Sequence, residues 1–175
     1  MKRKSVRIYS FTGTGSRLAL NLAEKLKQEG YVCTGYTVAR FAEDKRLQRL
    51  NDGWKQEIGA SWGEHALVFI GAAGIAIRAI APFVKDKFTD PPVIVLDEKG
   101  TFAIPLLSGH VGGGVTLAKV LAEYTGGRAV ITTATDSEGL PALDVLADIA
   151  HCHVADPENL KLVTAAILAG RRPLL

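Results

Sequence analysis

The chain has 175 residues, 47% of them apolar, which is enough for one ordinary domain or two small ones with a core. Its 21 lysines and arginines against 18 acidic residues give a net charge of +3, and they are scattered, so we expect no nucleic-acid partner. No apolar run reaches the roughly 18 residues of a membrane helix, and the amino terminus lacks a signal-peptide pattern, so we expect a cytoplasmic protein without membrane contact.

The first third of the chain predicts a strand, a helix and a second strand. Residues 6–11 have the apolar pattern of a strand, and the glycine-rich segment 12–16 links it to a helix. The helix is indicated by leucines at four-residue spacing: Leu18, Leu22 and Leu26. Gly30 is expected to end it, and residues 31–36 form the next strand. For residues 40–63 we expect a helix followed by an irregular segment.

A strand, a helix and another strand are predicted again in the middle of the chain. Residues 66–70 form a short apolar strand, and apolar residues at helical spacing follow over 77–84. Pro82 is expected to kink or end this helix, because proline lacks the amide hydrogen that continues a helix. After a connecting loop, residues 93–97 form the next strand.

The second half begins with a hairpin and a further glycine loop. Residues 102–106 follow the tight turn 98–100 and are expected to pair with the preceding strand. The glycine-rich segment 108–114 then leads into a helix whose apolar face includes Leu117 and Leu121. The remaining predicted elements are a strand over 128–132, a helix over 143–150, and a last helix to about residue 169, capped by Asp156 and stopped by Gly170.

Short strands that alternate with helices predict an α/β protein with an open, mainly parallel sheet and flanking helices. Two arrangements stay open, a single body and two small lobes. For two lobes we set the boundary at the Pro91-Pro92 pair, which gives regions 1–90 and 91–175, with the segment 137–139 as the other candidate. Ligands of such sheets bind at the carboxyl ends of the strands, so the loops there are the first candidates for a site.

The loop after the first strand is a candidate anion site. Gly13, Gly15 and Ser16 stand at the amino end of a helix, where backbone N–H groups and the helix dipole favour a carboxylate or phosphate. The spacing matches neither the dinucleotide-binding GxGxxG pattern nor a P-loop. The alternative is a tight turn with a hydroxyl cap and no ligand.

The loop after the strand 66–70 is a second candidate. Gly71 and Gly74 let a bulky ligand approach the backbone, and Arg78 follows one helical turn later. A guanidinium group can hold a carboxylate by two parallel hydrogen bonds. A solvated or structural arginine is the alternative.

The glycine loop that follows the hairpin has the most chemical content. His110 has a pKa suited to proton transfer, and its neighbours Ser108, Gly109, Gly112 and Gly113 leave room for a ligand. The glycine amides can stabilise a developing oxyanion. The alternative is a histidine that only bonds the backbone of its own loop.

Two carboxylates at strand ends are candidates to support this histidine. Asp97 ends its strand, and Asp136 lies in a threonine-rich turn with Thr133. Either aspartate can orient His110 or position a water molecule, while a turn cap is the alternative role. We expect the three glycine loops described above to converge on one side of the sheet and to form a single cleft.

The cysteines and the histidines beside Cys152 do not indicate a metal site. Cys33 and Cys152 lie far apart, so we expect two buried free thiols and no disulfide. His151 and His153 flank Cys152, and such adjacent side chains point in different directions. A second cluster of ligands is missing from the sequence, so we expect no protein-bound metal.

Five segments of the chain form a long, ordered series of motifs. They are 71–82 (GAAGIAIRAIAP), 85–91 (KDKFTDP), 93–97 (VIVLD), 106–113 (LLSGHVGG) and 131–136 (ITTATD). The series closely resembles the CbiG family of cobalamin biosynthesis, and the likeness spans residues 6–170. An order of this length is hard to meet by chance.

The resemblance implies a cobalt-precorrin-5A hydrolase of anaerobic cobalamin (vitamin B12) synthesis. Such an enzyme opens the ring A lactone of cobalt-precorrin-5A and releases acetaldehyde to give cobalt-precorrin-5B. A polycarboxylated macrocycle suits Arg78, Lys85 and Lys87. Cobalt arrives inside the substrate, so no separate cofactor is expected.

The resemblance also implies a partner domain. CbiG proteins commonly carry a further carboxy-terminal domain that resembles the CobE protein. One alternative function is therefore a non-catalytic tetrapyrrole-binding module that needs this domain for activity. A nucleotide-binding, flavodoxin-like domain that uses Gly13 to Ser16 is another.

Overall fold

The computed structural model describes residues 5–87, 89–109, 112–133 and 155–171, together with residues 143, 146, 147, 150 and 152. Contacts divide the chain into two compact units, Met1–Val130 and Ile131–Leu175. The two regions drawn on either side of residue 90 both contribute strands to the sheet of the first unit. Within the described residues, no helix is long and apolar enough to cross a membrane.

The described part of the first unit holds a seven-stranded sheet. Its strands are β1 (Ser5–Ser10), β2 (Val32–Thr37), β3 (Leu47–Arg49), β4 (Ala66–Ile70), β5 (Val93–Leu96), β6 (Phe102–Leu107) and β7 (Arg128–Ala129). Their order across the sheet is β3-β2-β1-β4-β5-β6-β7. Strands β1 to β5 are parallel, β6 is antiparallel to β5, and β7 is parallel to β6. The predicted α/β fold with a mainly parallel sheet is confirmed.

Helices cover both faces of this sheet. They are α1 (Gly13–Gln28), α2 (Trp54–Ala60), α3 (Ala73–Ile80) and α4 (Gly114–Thr125), with a 3₁₀ turn at Ala39–Phe41. The apolar sides of α1 and α4 pack on one face, and those of α2 and α3 pack on the other. The first unit is therefore a three-layer arrangement of helices, sheet and helices.

Alternate side chains of the central strands pack on the two faces of the sheet, because successive residues of a strand point to opposite sides. Ile8, Ile70 and Leu96 are buried in the core that includes α1 and α4. Phe69 and Val95 are buried in the core that includes α2 and α3. Strands that are apolar on both sides are typical of parallel sheets covered by helices. Each fully buried side chain of this size stabilises the fold by about 1.5–3 kcal/mol.

The segment 40–63 differs from the expected helix followed by an irregular region. It contains the edge strand β3, and α2 comes only after that strand. Leu47 of β3 is buried, and its Cδ2 lies 2.5 Å from the position that a Cβ on Gly35 would take, so the glycine in β2 makes room for β3. A strand of three residues is too short to be recognised from its alternation.

The direction of the strands defines two edges at which loops meet. Strands β1 to β5 point the same way, so the loops that follow them lie at one edge, which we name the carboxyl edge. Strand β6 runs the other way, and its last residue, Leu107, pairs with Val93, the first residue of β5. The loop after β6 therefore lies at the opposite edge, the amino edge. Strands of about five residues separate the two edges by roughly 15 Å.

In the second unit the last predicted helix is confirmed as α5 (Pro157–Leu168). Asp156 Oδ1 accepts the N–H of Asn159 at 3.1 Å, as expected of an amino-terminal cap. Gly170 has a left-handed φ of 71° just after the helix. Much of the predicted helix over 143–150 lies outside the described residues.

The expectation of two buried thiols is wrong for one cysteine. Cys33 is buried in the core between β2 and α1, but Cys152 is exposed. Both are free thiols.

The two thiols are expected to react at very different rates. Burial raises the pKa of the Cys33 thiol from 9.0 to about 11, so its reactive thiolate is scarce below that pH. A colorimetric thiol titration near neutral pH should show one fast thiol, Cys152, and a second only after unfolding. Cys152→Ser should remove the fast phase, and a fast phase that survives this change would contradict the burial of Cys33.

Candidate functional site

The loop between β1 and α1 lies at the carboxyl edge and forms a capped turn. Thr12 Oγ1 accepts the N–H of Gly15 at 3.0 Å and donates to Glu98 Oε2 at 3.0 Å. A Cβ on Gly15 would lie 3.1 Å from Thr12 Oγ1 and 3.2 Å from Ile70 Cγ2, so the glycine lets α1 approach β4 closely. Gly13 is the first residue of α1. A turn with a hydroxyl cap accounts for these contacts.

Ser16 turns its hydroxyl into the protein. The residue is 5% exposed, and its Oγ donates to the carbonyl of Thr12 at 2.8 Å. The same Oγ lies 2.7 Å from Thr37 Oγ1 and 3.3 Å from Ser10 Oγ. Buried hydroxyls are stable only when they are hydrogen-bonded, and these bonds join α1 to β1 and β2. These contacts support a structural role for Ser16.

The loop between β4 and α3 lies beside the first loop. Ser10 pairs with Ile70, so β1 and β4 end side by side. Gly71 has a φ of 148°, which favours glycine, and its N–H donates to the carbonyl of Leu96 at 2.8 Å. From β1 the chain continues to β2 on one side, and from β4 to β5 on the other. Open α/β sheets bind ligands at such a topological switch point.

Arg78 reaches back from the last turn of α3 to its first turn. Its Nη1 donates to the carbonyl of Gly74 at 3.1 Å, and the side chain is exposed. A Cβ on Gly74 would lie 2.9 Å from this Nη1, so the glycine leaves the space that the guanidinium occupies. The positive charge is thereby held near the carboxyl edge.

A cleft of about 540 Å³ opens beside Arg78 at the carboxyl edge. Its walls come from the segments that follow β1 and β2, from the end of β3 and the segment after it, from the first turn of α2 and from α3. We name it the cationic cleft. Among its lining residues are Phe11, Arg49, Asp52, Trp54, Lys55 and Arg78. Of these, sequence reasoning found only Arg78. Arg49 ends the short strand β3, and Trp54 and Lys55 follow it. They were missed because the sequence pattern does not reveal that strand.

A smaller cavity of about 270 Å³ adjoins the start of α1. Its lining includes two cations, Arg17 and Arg40, and two carboxylates, Glu43 and Asp44. The opposite charges balance, so this cavity is less suited to an anion than the cationic cleft.

Asp97 holds the turn between β5 and β6. Its Oδ1 accepts the N–H of Phe102 at 2.7 Å, and its Oδ2 accepts the N–H of Lys99 at 3.2 Å. Both carboxylate oxygens therefore bind backbone amides, which is the turn-cap role that the sequence left as an alternative. The residue lies at the carboxyl edge.

The residues on either side of His110 lie at the amino edge. Ser108 Oγ donates to the carbonyl of Asp90 at 2.6 Å, and Ser108 has a left-handed φ of 52°, which is rare outside glycine. Asp90 is 6% exposed, and its carboxylate accepts the indole N–H of Trp62 and the backbone N–H of Lys85, each at 3.0 Å. The start of the loop is thus fixed to the segment that precedes β5.

The glycines of this loop have packing roles. A Cβ on Gly112 would lie 2.6 Å from Ser108 Cβ and 2.8 Å from the Ser108 carbonyl oxygen. Gly113 has a left-handed φ of 78°. The N–H of Val115 donates to the carbonyl of Gly109 at 2.8 Å, which closes the loop on itself. Close backbone contact explains the glycines without a ligand.

The expected convergence of the three glycine loops is wrong. The loops at Gly13 and at Gly71 to Gly74 meet at the carboxyl edge, but Ser108 and Gly112 lie at the amino edge. The reason is the reversed direction of β6, which carries its following loop to the other end of the sheet. A single cleft within this unit therefore does not hold all three loops.

Two predicted residues, His110 and Asp136, are not among the described residues. Thr133 belongs to the second unit, where it is partly buried. Their predicted roles stay predictions.

Known proteins resemble this chain over nearly its whole length. The family described as Cobalamin synthesis G N-terminal matches residues 58–136. A cobalt-precorrin-5A hydrolase from Salmonella typhimurium is 39% identical to it over an alignment that covers 98% of the chain. The chain belongs to the CbiG family.

Two further proteins are similar to this CbiG-family chain. A cobalt-precorrin-5A hydrolase from Priestia megaterium is 28% identical over 95% of the chain. The crystal structure of a cobalamin biosynthesis protein G homolog from Sulfolobus solfataricus matches with a TM-score of 0.57 and 26% identity, covering 94% of this chain and 46% of that one. The chain spans about half the length of the curated relatives it matches, 48% of the Salmonella protein and 45% of the Priestia protein.

The packing role of Gly112 predicts a stability loss in the CbiG-family chain. Gly112→Ala adds a Cβ against backbone and should cost about 1–3 kcal/mol of unfolding free energy. Gly53→Ala is the matched control, because Gly53 also lies just before a helix and has no left-handed φ, and a Cβ there would meet nothing closer than Asn51 Oδ1 at 3.6 Å. Urea denaturation measures the unfolding free energy of both variants, and a Gly112 variant no less stable than the Gly53 variant would contradict the close contact.

The turn-cap role of Asp97 is tested in the same way. Asp97→Ala removes the side-chain acceptor of the exposed amides of Lys99 and Phe102, which water can then hydrate, and should lower the unfolding free energy by about 0.5–1.5 kcal/mol. Asp97→Asn keeps one acceptor oxygen and should lower the unfolding free energy less than Asp97→Ala does. Equal stability of the wild type and the alanine variant in urea would show that the turn does not depend on this carboxylate.

Proposed function

We propose that the chain is the amino-terminal part of a cobalt-precorrin-5A hydrolase. The proposed reaction opens the ring A lactone of cobalt-precorrin-5A and releases acetaldehyde to give cobalt-precorrin-5B. The observation that carries the proposal is the 39% identity to the Salmonella typhimurium hydrolase across 98% of the chain. The pathway is anaerobic cobalamin synthesis.

The proposed substrate is a flat, cobalt-containing ring that carries several carboxylates. Binding such a molecule requires cationic side chains for the carboxylates and apolar surface for the ring. The carboxyl edge offers both, with Arg78 beside the cationic cleft and Phe11 and Trp54 among its lining. The cobalt ion is part of the substrate, and no separate cofactor enters the proposal.

The proposed location of the macrocycle is the carboxyl edge. The switch point between β1 and β4, with the loops at Gly13 and at Gly71, favours this edge on general grounds. The residues that flank His110 are at the other end of the sheet. A macrocycle in the cationic cleft therefore lies at the opposite edge of the sheet from Ser108 and Gly112, which are described residues near His110 in the sequence.

A non-catalytic binding module is the second candidate function. It is favoured by the geometry of the carboxyl edge, where the cleft offers cations and aromatic rings for binding while the candidate carboxylate Asp97 is engaged as a turn cap. In this case the chain binds the corrinoid without turnover, and a CobE-like carboxy-terminal domain added in trans restores the reaction.

Acetaldehyde release tests the proposed reaction. The natural full-length protein, incubated anaerobically with cobalt-precorrin-5A, should release acetaldehyde in proportion to the product formed. The 175-residue chain is assayed beside it, alone and with the added carboxy-terminal domain. Absence of acetaldehyde with the full-length protein would contradict the hydrolase, and turnover only after addition would favour the binding module.

A comparison of two variants tells which edge holds the lactone. With the macrocycle at the carboxyl edge, we expect His110→Ala to change the rate of acetaldehyde release less than threefold, while Arg78→Gln raises KM about tenfold. A general acid or base contributes about a hundredfold or more to the rate. A hundredfold loss of rate in His110→Ala, together with an unchanged KM in Arg78→Gln, would assign the chemistry to the amino edge instead.

A further inference from the structure

We propose that the cationic cleft is the subsite for the carboxylate side chains of a polycarboxylated tetrapyrrole, with Arg49 and Arg78 as its main anion ligands. This inference rests on the proposed function for the class of substrate. It adds a binding site that the sequence patterns do not reveal, since Arg49 and Lys55 belong to none of the motifs that carry the family resemblance.

The charge of the cleft is unbalanced. Its lining includes three cations, Arg49, Lys55 and Arg78, and one carboxylate, Asp52. Within the part of the chain that the structure describes, none of the three cations forms an ion pair. The ion pairs of Arg46 with Asp44 and Glu24, elsewhere on this unit, show the contrasting case of a compensated arginine. Uncompensated cations around a concave surface attract an anionic ligand.

The two arginines come from different parts of the fold. Arg49 is the last residue of β3, and Arg78 lies on α3 and reaches back to Gly74. A guanidinium presents its donors in a planar fork that matches a carboxylate. Two guanidinium groups on separate elements can bind two carboxylates at once. They therefore suit a ligand with several carboxylates around its rim better than a ligand with one.

The cleft also offers aromatic surface. The ring of Trp54 lies 5.6 Å from the ring of Phe11 and 5.8 Å from that of Tyr9, so its position is fixed by packing. Lys55 Nζ lies 5.7 Å from the centre of the Trp54 ring. Trp54 and Phe11 are only partly buried, and both line the cleft. A flat conjugated ring can pack on such surface while its carboxylates meet the cations.

The size of the cleft agrees with partial entry of a macrocycle. Its volume of about 540 Å³ falls in the range of about 300–1,000 Å³ that is typical of small-molecule sites. The site is an open cleft at the sheet edge, so one side of a large ring can enter while the rest stays outside.

Binding of two stable corrinoids tests the subsite. Cobyrinic acid carries free carboxylates, and cobinamide has the same ring with the carboxylates converted to amides. Isothermal titration of the natural full-length protein should give a much lower Kd for cobyrinic acid than for cobinamide. Added salt should weaken the binding of cobyrinic acid more strongly, because exposed charges are screened.

Three variants separate the charge from the aromatic surface. Arg49→Gln and Arg78→Gln should each raise the Kd for cobyrinic acid about tenfold and leave that for cobinamide unchanged. Trp54→Leu should weaken both ligands alike. Arg128→Gln is the matched control, because Arg128 is an exposed arginine on β7, at the far side of the sheet from β3. Thermal unfolding of each variant checks that the fold is kept.

Two results would overturn the subsite. One is equal affinity for the acid and the amide, and the other is a loss with Arg128→Gln as large as with Arg49→Gln. Either result, with acetaldehyde release by the wild type intact, would reject the cleft and keep the proposed reaction. Charge-dependent binding in the cleft without acetaldehyde release would keep the subsite and reject the hydrolase.

Discussion

The reversal of chain direction between β5 and β6 determines which loops of this protein are neighbours. The turn is held from within by Asp97, which accepts two backbone N–H groups, and by Gly100, whose φ of 71° favours glycine. It is also held from outside, because Thr125 Oγ1 at the end of α4 donates to the carbonyl of Gly100 at 2.7 Å. A Cβ on Gly127 would lie 2.1 Å from the same carbonyl oxygen. Only glycine therefore fits at this position, where the chain after α4 passes the turn. Without this reversal, the glycine loop after β6 would lie at the carboxyl edge with the other two.

The separation of the edges changes how each glycine-rich loop is interpreted. In the sequence alone, each loop is compatible with a ligand role or a packing role, and a common cleft is expected. Gly15 and Gly112 both face backbone or buried side chains at short distance, so packing alone explains them. The space at Gly74 is different, because an arginine of the same helix fills it and is thereby held near the rim of a cleft. Glycine content is thus a weak indicator of a ligand site. The group that fills the space beside the glycine is a stronger indicator.

Much of the fold was predictable because it depends on apolar patterns of ordinary length. The strands at 66–70 and 93–96, buried on both sides, and the first helix with its leucine spacing all formed where the patterns indicate. Strand β3 was not predictable, since its three residues carry one buried side chain, Leu47, and pair with a glycine-containing strand that gives no sign of a partner. The order of strands across the sheet is a property of long-range pairing, and local patterns do not encode it.

The candidate site was only partly predictable for the same reason. Arg78 lies in a recognisable motif, but Arg49 and Lys55 become part of a site only because β3 joins the edge of the sheet beside β2. The net charge of +3 gives no hint of them, because opposite charges cancel in the sum while their positions do not. On the first unit, Arg46 forms ion pairs with two carboxylates, and the charges around the smaller cavity balance. The cationic cleft instead has three cations and one carboxylate. A carboxylated ligand is attracted by this local excess of positive charge. The excess exists only in the folded chain.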